Sequence, residues 1–291
     1  MAETMSKGSL FPSETVADLF NKVRGKSSLA ALSEQIPVAF NGNDIFTFAL
    51  DNEVALVGEN EAKSAGGLTA APVKVVPLKL EYGARVSDEF MYASEEKQLD
   101  MLTAFNEGFA RKVARGLDIM AMHGVNPRTG EASTLITQSF DKGTKTVTYA
   151  AASCDDNVED AVALIGDYDV TGIAMSKTFA AAMAKLEGVN GGKLYPELAW
   201  GGQPNAVNGV KASVNSTVSF GTSKDMAIVG DFAAAFKWGY AKEIPLEVIP
   251  YGDPDNTGKD LKGHNQVYLR AEVYVGWAIL DQDAFARVVT A

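Results

Sequence analysis

The stretch from Ser94 to His123 constrains the fold most. Leu102, Phe105, Phe109, Val113, Leu117 and Met120 recur along it at helical spacing. Ser94 is a good N-cap, Glu95 and Glu96 suit the positive helix end, and His123 suits the negative end before Gly124 stops the helix. Glu107 and Arg111 stand at i, i+4 and can pair. About 30 residues at 1.5 Å each make a rod of ~45 Å. A rod that long overruns a small globular domain, so the rest of the chain must be laid out along it. Gly116 is a place where it can bend.

Extended structure lies on both sides of this rod. In 44–82, Ile45, Thr47 and Ala49 alternate with Phe46, Phe48 and Leu50, and Val54 to Val57 reads as a further short strand. Gly58 to Ala71 is small and polar, with Leu68 its one core-type residue, and a strand returns after Pro72 with Leu78, Leu80 and Tyr82 on one face. The pattern is a long two-stranded arm with a soft tip. An isolated hairpin is marginal in water, so the arm implies a neighbour. Near the C-terminus, Val267, Leu269, Ala271, Val273, Val275 and Trp277 alternate with Tyr268, Arg270, Glu272 and Tyr274, a half-buried strand. A short helix is expected from Gln282 to Val288.

Further short elements fill the remainder. Ser13 can cap a helix from Glu14 to Arg24, with Val16, Leu19, Phe20 and Val23 as its stripe. From residue 156 the pattern is helix (Asn157 to Ile165), buried strand (Val170 to Met175), then a helix capped by Ser176 and running to Leu186. Short strands follow, including Ala227 to Val229 and Leu246 to Ile249, and 252–264 is a polar loop.

Composition bounds the chemistry. The chain has 291 residues, enough for two domains at roughly 100–200 residues each. The 46% hydrophobic and 22% charged residues are a globular balance. No apolar run approaches the ~20 residues of a membrane span, and the N-terminus has no secretory pattern. The charge of −11 repels phosphates, which excludes a sequence-specific nucleic-acid binder but not a wall facing packed DNA. The single cysteine, Cys154, forms no intrachain disulfide, fits a reducing compartment, and is most simply a plain buried or surface residue. With two histidines, His123 and His264, no zinc spacing can be written, and no cofactor motif is present. Gly188 to Leu194 hints at a phosphate loop but fails: the glycine spacing is short, and Leu194 stands where Ser or Thr must bind magnesium. His123 reads more simply as a helix-end cation than a base. The aspartates of 250–260 read more simply as a solvated loop than a calcium site.

The ordered features resemble one family. Ala55-Leu56-Val57-Gly58-Glu59 followed by Ala62-Lys63, then Tyr82 to Met91, then Ile228-Val229-Gly230-Asp231-Phe232, then Asn265 to Phe285 are similar to successive segments of the tailed double-stranded DNA phage major capsid proteins. The resemblance implies an α+β chain with the Hong Kong 97-like fold. It implies an N-terminal arm at 1–43, an extended loop at 44–84, and a peripheral domain at 85–150 with the spine helix 94–123. An axial domain at 151–264 follows, and 265–291 returns to the peripheral domain. The implied function is structural rather than enzymatic: pentamers and hexamers closing an icosahedral head around DNA, in the virion, after assembly in the host cytoplasm. The implied partners are further copies of the chain, a portal, possible decoration proteins and packaged DNA. Some members carry a long cleaved N-terminal scaffolding segment. Here the arm begins almost at Met1, so a separate scaffold, or none, is expected. Some members of the family are welded by inter-subunit isopeptide bonds, and the resemblance places Lys63, Asn265 and Glu272 at the positions of the lysine, the asparagine and the assisting glutamate; the other reading is that Lys63 and Glu272 are surface charges and Asn265 ends a loop. The odd offset from Asn265 to Glu272 requires Asn265 to lie in the loop before the strand or at a bulge. An encapsulin-type nanocompartment shell and a soluble α/β enzyme are the alternative readings.

Overall fold

The computed structural model describes residues 27–291 except 51, 64, 93 and 94, and gives the backbone only for Glu95 to Lys97, Glu243 and Pro245. The helix expected at Glu14 to Arg24 and the Ser94 cap lie outside the described residues. In chain order the elements are α1 (Ser28–Leu32), β1 (Asn43–Leu50), β2 (Leu68–Val75), β3 (Leu78–Ser87), α2 (Glu95–His123), β4 (Lys145–Thr148), α3 (Cys154–Ile165), β5 (Gly172–Met175) and α4 (Lys177–Met183). Then come β6 (Ala206–Val207), β7 (Val210–Val214), β8 (Asp225–Gly230), β9 (Phe236–Ile249), β10 (Gln266–Ile279) and β11 (Phe285–Val289).

The strands form three sheets: β1-β2, β3-β10-β9, and the six-stranded β4-β11-β8-β5-β7-β6. The alternation read in the last long strand is realised in β10, which pairs antiparallel with β3 on one side and β9 on the other. Its Val267, Leu269, Ala271 and Val273 bury against Leu102, Phe109 and Val113 of α2. The helix runs unbroken through Gly116. Its second half enters the largest core, where Leu117, Met120 and Ala121 meet Trp238, Val275 and Trp277 of the three-stranded sheet. Ala174, Ile228 and Phe285 of the six-stranded sheet reach the same core. Phe140, from the loop after α2, packs edge-on against Phe285 at 4.8 Å and tilts against Phe232 at 6.0 Å. One helix therefore joins two sheets. The N-terminal segment crosses over β9: the Ile36 amide donates to the Trp238 carbonyl at 2.8 Å. Gly239 permits this approach, since a Cβ there would stand 2.0 Å from the Ile36 oxygen.

Several expectations are corrected by long-range pairing. Val54 to Val57 is not a strand. The strand expected after Pro72 is two strands: β2 begins at Leu68 and pairs with β1, whereas β3 belongs with β10. Pro72 is tolerated inside β2 because that strand pairs on one side only. Gln282 to Val288 is not a helix; Phe285–Val289 is a strand, parallel to β4 and antiparallel to β8. Its Phe285, Ala286 and Val288 are buried there, which a solvent-exposed terminal helix could not offer. Ser176 does cap α4, accepting from the Phe179 amide at 3.1 Å, but the helix stops at Met183. The pairing also crosses the expected boundaries. β9, from 151–264, joins the sheet of β3 and β10, and β11, from 265–291, joins the six-stranded sheet.

The acidic loop 252–264 is exposed over most of its length, as expected, but one side of it is ordered around a partner. It wraps a guanidinium. Arg85, on β3, donates to Asp255 through Nε at 2.9 Å and Nη2 at 2.5 Å, and to Asp253 at 2.7 Å. Nη2 also reaches Thr257 Oγ1 at 2.6 Å and the Lys259 carbonyl at 2.9 Å. Asp253 in turn accepts from the Gly258 amide at 2.7 Å. The hydrogen bond from Arg85 pulls the Asp255 carboxyl down to about 2.

Two outcomes follow. Phe109 is buried mid-stripe, so Phe109→Ala costs about 3–5 kcal/mol of unfolding free energy in denaturant titration. Phe105, half-buried beside Tyr82 at a 6.0 Å centroid distance, costs less, about 1–2 kcal/mol. For the loop, the folded Asp255 pKa lies below its unfolded value, so its contribution is present above that unfolded value and is lost as pH falls toward 2. Amide exchange at Gly258 should accelerate across that window. Arg85→Gln should produce the same acceleration at neutral pH, and unchanged exchange in the variant would show that Arg85 does not hold the loop.

Candidate functional site

The β1–β2 ribbon is where the chain exposes what it would be expected to bury. Residues opposite one another in an antiparallel pair point to the same face. The register sets Phe46 opposite Pro72, Phe48 opposite Ala70 and Leu50 opposite Leu68. These six residues make one apolar face, and Phe46, Phe48 and Leu50 are 71%, 74% and 76% exposed. Beyond the ribbon, Val54 and Leu56 are fully in solvent. A contiguous apolar patch of this kind marks an interaction surface. Among the described residues, the ribbon's sheet has two strands, so no further strand lies against either outer edge. The base, by contrast, is fixed. Ile45 and Val73 pack against Val38, Val75 and Ala278. The Asn43 side chain accepts from the Ala39 amide at 2.8 Å and donates to the Pro37 carbonyl at 2.9 Å.

A second apolar projection lies in the glycine-rich stretch after α4. Trp200 is fully exposed on left-handed backbone, φ 58°, ψ 23°. Val189, also fully exposed, lies in the same stretch. A bulky residue held at positive φ carries strain, and such strain concentrates at functional surfaces.

The structure places the three residues expected to cross-link as follows. Lys63 is exposed in the loop beyond the ribbon. Asn265 is exposed and left-handed, φ 53°, immediately before β10, which is the loop position its odd offset required. Glu272 lies within β10 with 11% of its side chain exposed, and pairs with Lys79 at 2.8 Å and Arg270 at 3.7 Å. Its hydrogen bond raises the Lys79 pKa. Seven residues of strand separate Asn265 from Glu272 by ~23 Å, so one subunit does not bring them together.

A polar cluster escaped sequence reasoning. His123 ends α2, Asp141 lies in the following loop, Asp225 opens β8 and Arg287 lies in β11. Arg287 Nη1 donates to Asp141 and to Asp225 at 2.7 Å each, and its Nε donates to Thr144 Oγ1 at 2.7 Å. Burial, reinforced by the neighbouring Asp141, pushes the Asp225 carboxyl up. Burial alone would lower His123, but hydrogen bonds to Asp141 and to the Thr217 carbonyl outweigh it and raise its pKa. His123 does end the helix, with its raised pKa favouring the cation as expected, and it is also a member of this buried network. Among the described residues, His123, Asp141 and Asp225 are the group whose donor atoms lie close enough to hold a metal ion. No spacing rule could show this, because the three come from distant parts of the chain.

Comparison with known proteins accords with this arrangement. A model described as the phage capsid family matches residues 7–290. A solved chain from Mycobacterium phage Ogopogo shares 34% identity over 91% of this chain and 92% of that one, with a TM-score of 0.80. One from Gordonia phage Cozz shares 26% identity over 91% and 87%, with a TM-score of 0.75. A chain described as the capsid of an empty GTA particle, computed with C5 symmetry, shares the fold, at 17% identity over 91% and 90% and a TM-score of 0.65. No curated protein matches the chain. A family match over nearly the whole length, and a relative 34% identical over 91% of this chain, show that this chain belongs to the phage capsid family and is a major capsid protein, a structural subunit of the phage shell.

Proposed function

We propose that copies of this chain assemble as pentamers and hexamers into an icosahedral head, in the host cytoplasm, around double-stranded DNA. The exposed apolar face of the β1–β2 ribbon carries this reading. Burying each Phe or Leu side chain contributes roughly 1.5–3 kcal/mol, and the subunit leaves that unrealised. A neighbouring copy supplies the missing surface, and Trp200 supplies a second contact at another part of the molecule. A portal, a scaffold and decoration proteins complete the reading as partners. The net charge of −11 lets packed DNA slide along the wall without adhering.

The covalent weld belongs to this reading only between copies. In it the neutral Lys63 amine attacks the Asn265 amide carbon, Glu272 takes a proton from the Lys63 nitrogen and returns it to the departing nitrogen, the C–N bond of the amide breaks, ammonia leaves, and the isopeptide bond remains. Glu272 must first release Lys79.

Phe48→Asp should leave the free subunit's stability within about 0.5 kcal/mol, since the side chain is already in water. The same variant should abolish shells in electron micrographs. Normal shells from it would remove the ribbon from the interface. Residues 58–67 should exchange amide hydrogen fast in free subunits and slowly in shells. For the weld, mature shells boiled in detergent should give a ladder that Lys63→Ala collapses to the 30.9 kDa monomer. A monomer band from unmutated shells excludes the cross-link while leaving assembly untouched.

A further inference from the structure

His123 Nε2 lies 2.9 Å from the Thr217 carbonyl oxygen. A carbonyl only accepts, so Nε2 carries the hydrogen. In the neutral ring, Nδ1 then presents a bare lone pair. It faces Asp141 Oδ2 at 3.3 Å and Asp225 Oδ2 at 3.6 Å. The donor atoms of the three residues all lie within 4.8 Å of one another. Such atoms repel unless a proton on Nδ1 or a metal ion stands among them.

Asp225 adds an independent observation. Its side chain is 1% exposed, and its Oδ2 has no hydrogen-bond partner. A buried carboxylate oxygen without a donor is costly and calls for an explanation. Arg287 does not resolve it, because Arg287 holds the other oxygen, Oδ1, of both aspartates. That grip turns both Oδ2 atoms toward His123, as an outer-shell partner orients metal ligands.

We propose that His123 Nδ1, Asp141 Oδ2 and Asp225 Oδ2 form a site for one divalent ion of the zinc class. Tetrahedral coordination at bond lengths near 2.0–2.2 Å puts neighbouring donors about 3.3–3.5 Å apart. The two measured separations from Nδ1 bracket that range. One imidazole and two carboxylates suit zinc or a similar transition ion, whereas calcium requires six or more oxygens. A cavity of about 410 Å³, lined by all three ligands and by Ser223 and Lys224, gives the ion an entry path and a water for its fourth position. The ligands come from the end of α2, the loop after it and the start of β8. The bound ion therefore pins the spine helix to the six-stranded sheet.

The test uses the full-length, chelator-treated protein. Titration with Zn²⁺ by calorimetry, and with Co²⁺ by visible absorption, should give one ion per chain and a raised melting temperature reversed by chelator. Asp141→Asn, at the most exposed ligand, should fold normally by circular dichroism and bind on the order of tenfold more weakly or worse. His264→Gln, outside the cluster, should bind as the unmutated chain does. Absence of one-to-one binding by the unmutated chain overturns the site, and so does unchanged affinity in Asp141→Asn.

Discussion

The Asp118 carboxylate, fully buried on the spine helix, accepts from the Ser27 hydroxyl, from the amides of Ser28 at 2.9 Å and Leu29 at 3.2 Å, and from Thr217 Oγ1 at 2.7 Å. Asn215 Nδ2 approaches its Oδ2 at 3.4 Å. Burial pushes its pKa up, against the pull of these donors. A buried carboxylate is tolerable only when its lone pairs are filled, and here they are filled from two separate parts of the chain, residues 27–29 and 215–217. The start of α1, the C-terminal part of α2 and the segment after β7 are held to one point. Losing either donor set leaves the buried carboxylate undersatisfied, which costs stability. Thr217 then passes the constraint on. Its hydroxyl serves Asp118 while its carbonyl serves His123, five residues further along the same helix.

This point fixes everything attached to it. From α1 the chain crosses β9 and turns at Asn43 into the ribbon, so the ribbon's base inherits its position from Asp118 and from the apolar cluster of Val38, Val75 and Ala278. The spine helix couples the two larger sheets because its halves bury against different surfaces. The first half packs on the three-stranded sheet, and the second sits in the aromatic core where both sheets meet. The subunit is therefore well determined in its body and unsatisfied at its extremities, the ribbon face and Trp200.

Sequence reading succeeded where the determinants are local. The α2 stripe, the Ser176 cap and the β10 alternation each follow from a repeat or a cap within one segment, and each is realised. It failed where a partner decides. Phe285-Ala286-Arg287-Val288-Val289 fits a helical turn as well as a strand, and only β4 and β8 on either side make it a strand. Residues 72–82 were read as one strand because the two sheets they serve are invisible locally. Arg85 is separated by 170 residues from the aspartate it holds, so the acidic loop's partner was not legible. The His123 cluster is hidden for the same reason: its members share no motif, only a place in space. The ribbon's meaning was legible, since Phe46, Phe48 and Leu50 on one face with no partner strand or helix already implied a surface that the chain cannot cover by itself.

That surface also bears on symmetry. On the proposed reading, the ribbon of one copy lies on the body of the next, and the two surfaces are different. Such a contact is heterologous, and repeated heterologous contacts close into a ring or run on as a filament, according to the rotation between neighbours. The rotation is set where the ribbon leaves the body. A loosely hinged ribbon would let neighbours dock at many angles and would favour neither five nor six copies. Here Asn43 bonds, the Ile45–Val73 packing and the α1 anchor on Asp118 hold the departure angle. The free length beyond the base then supplies the small adjustment between rings of different size. On that reading, the contacts that fix the root of the ribbon, among them the donors that fill one buried carboxylate, set the range of rotations open to neighbouring copies.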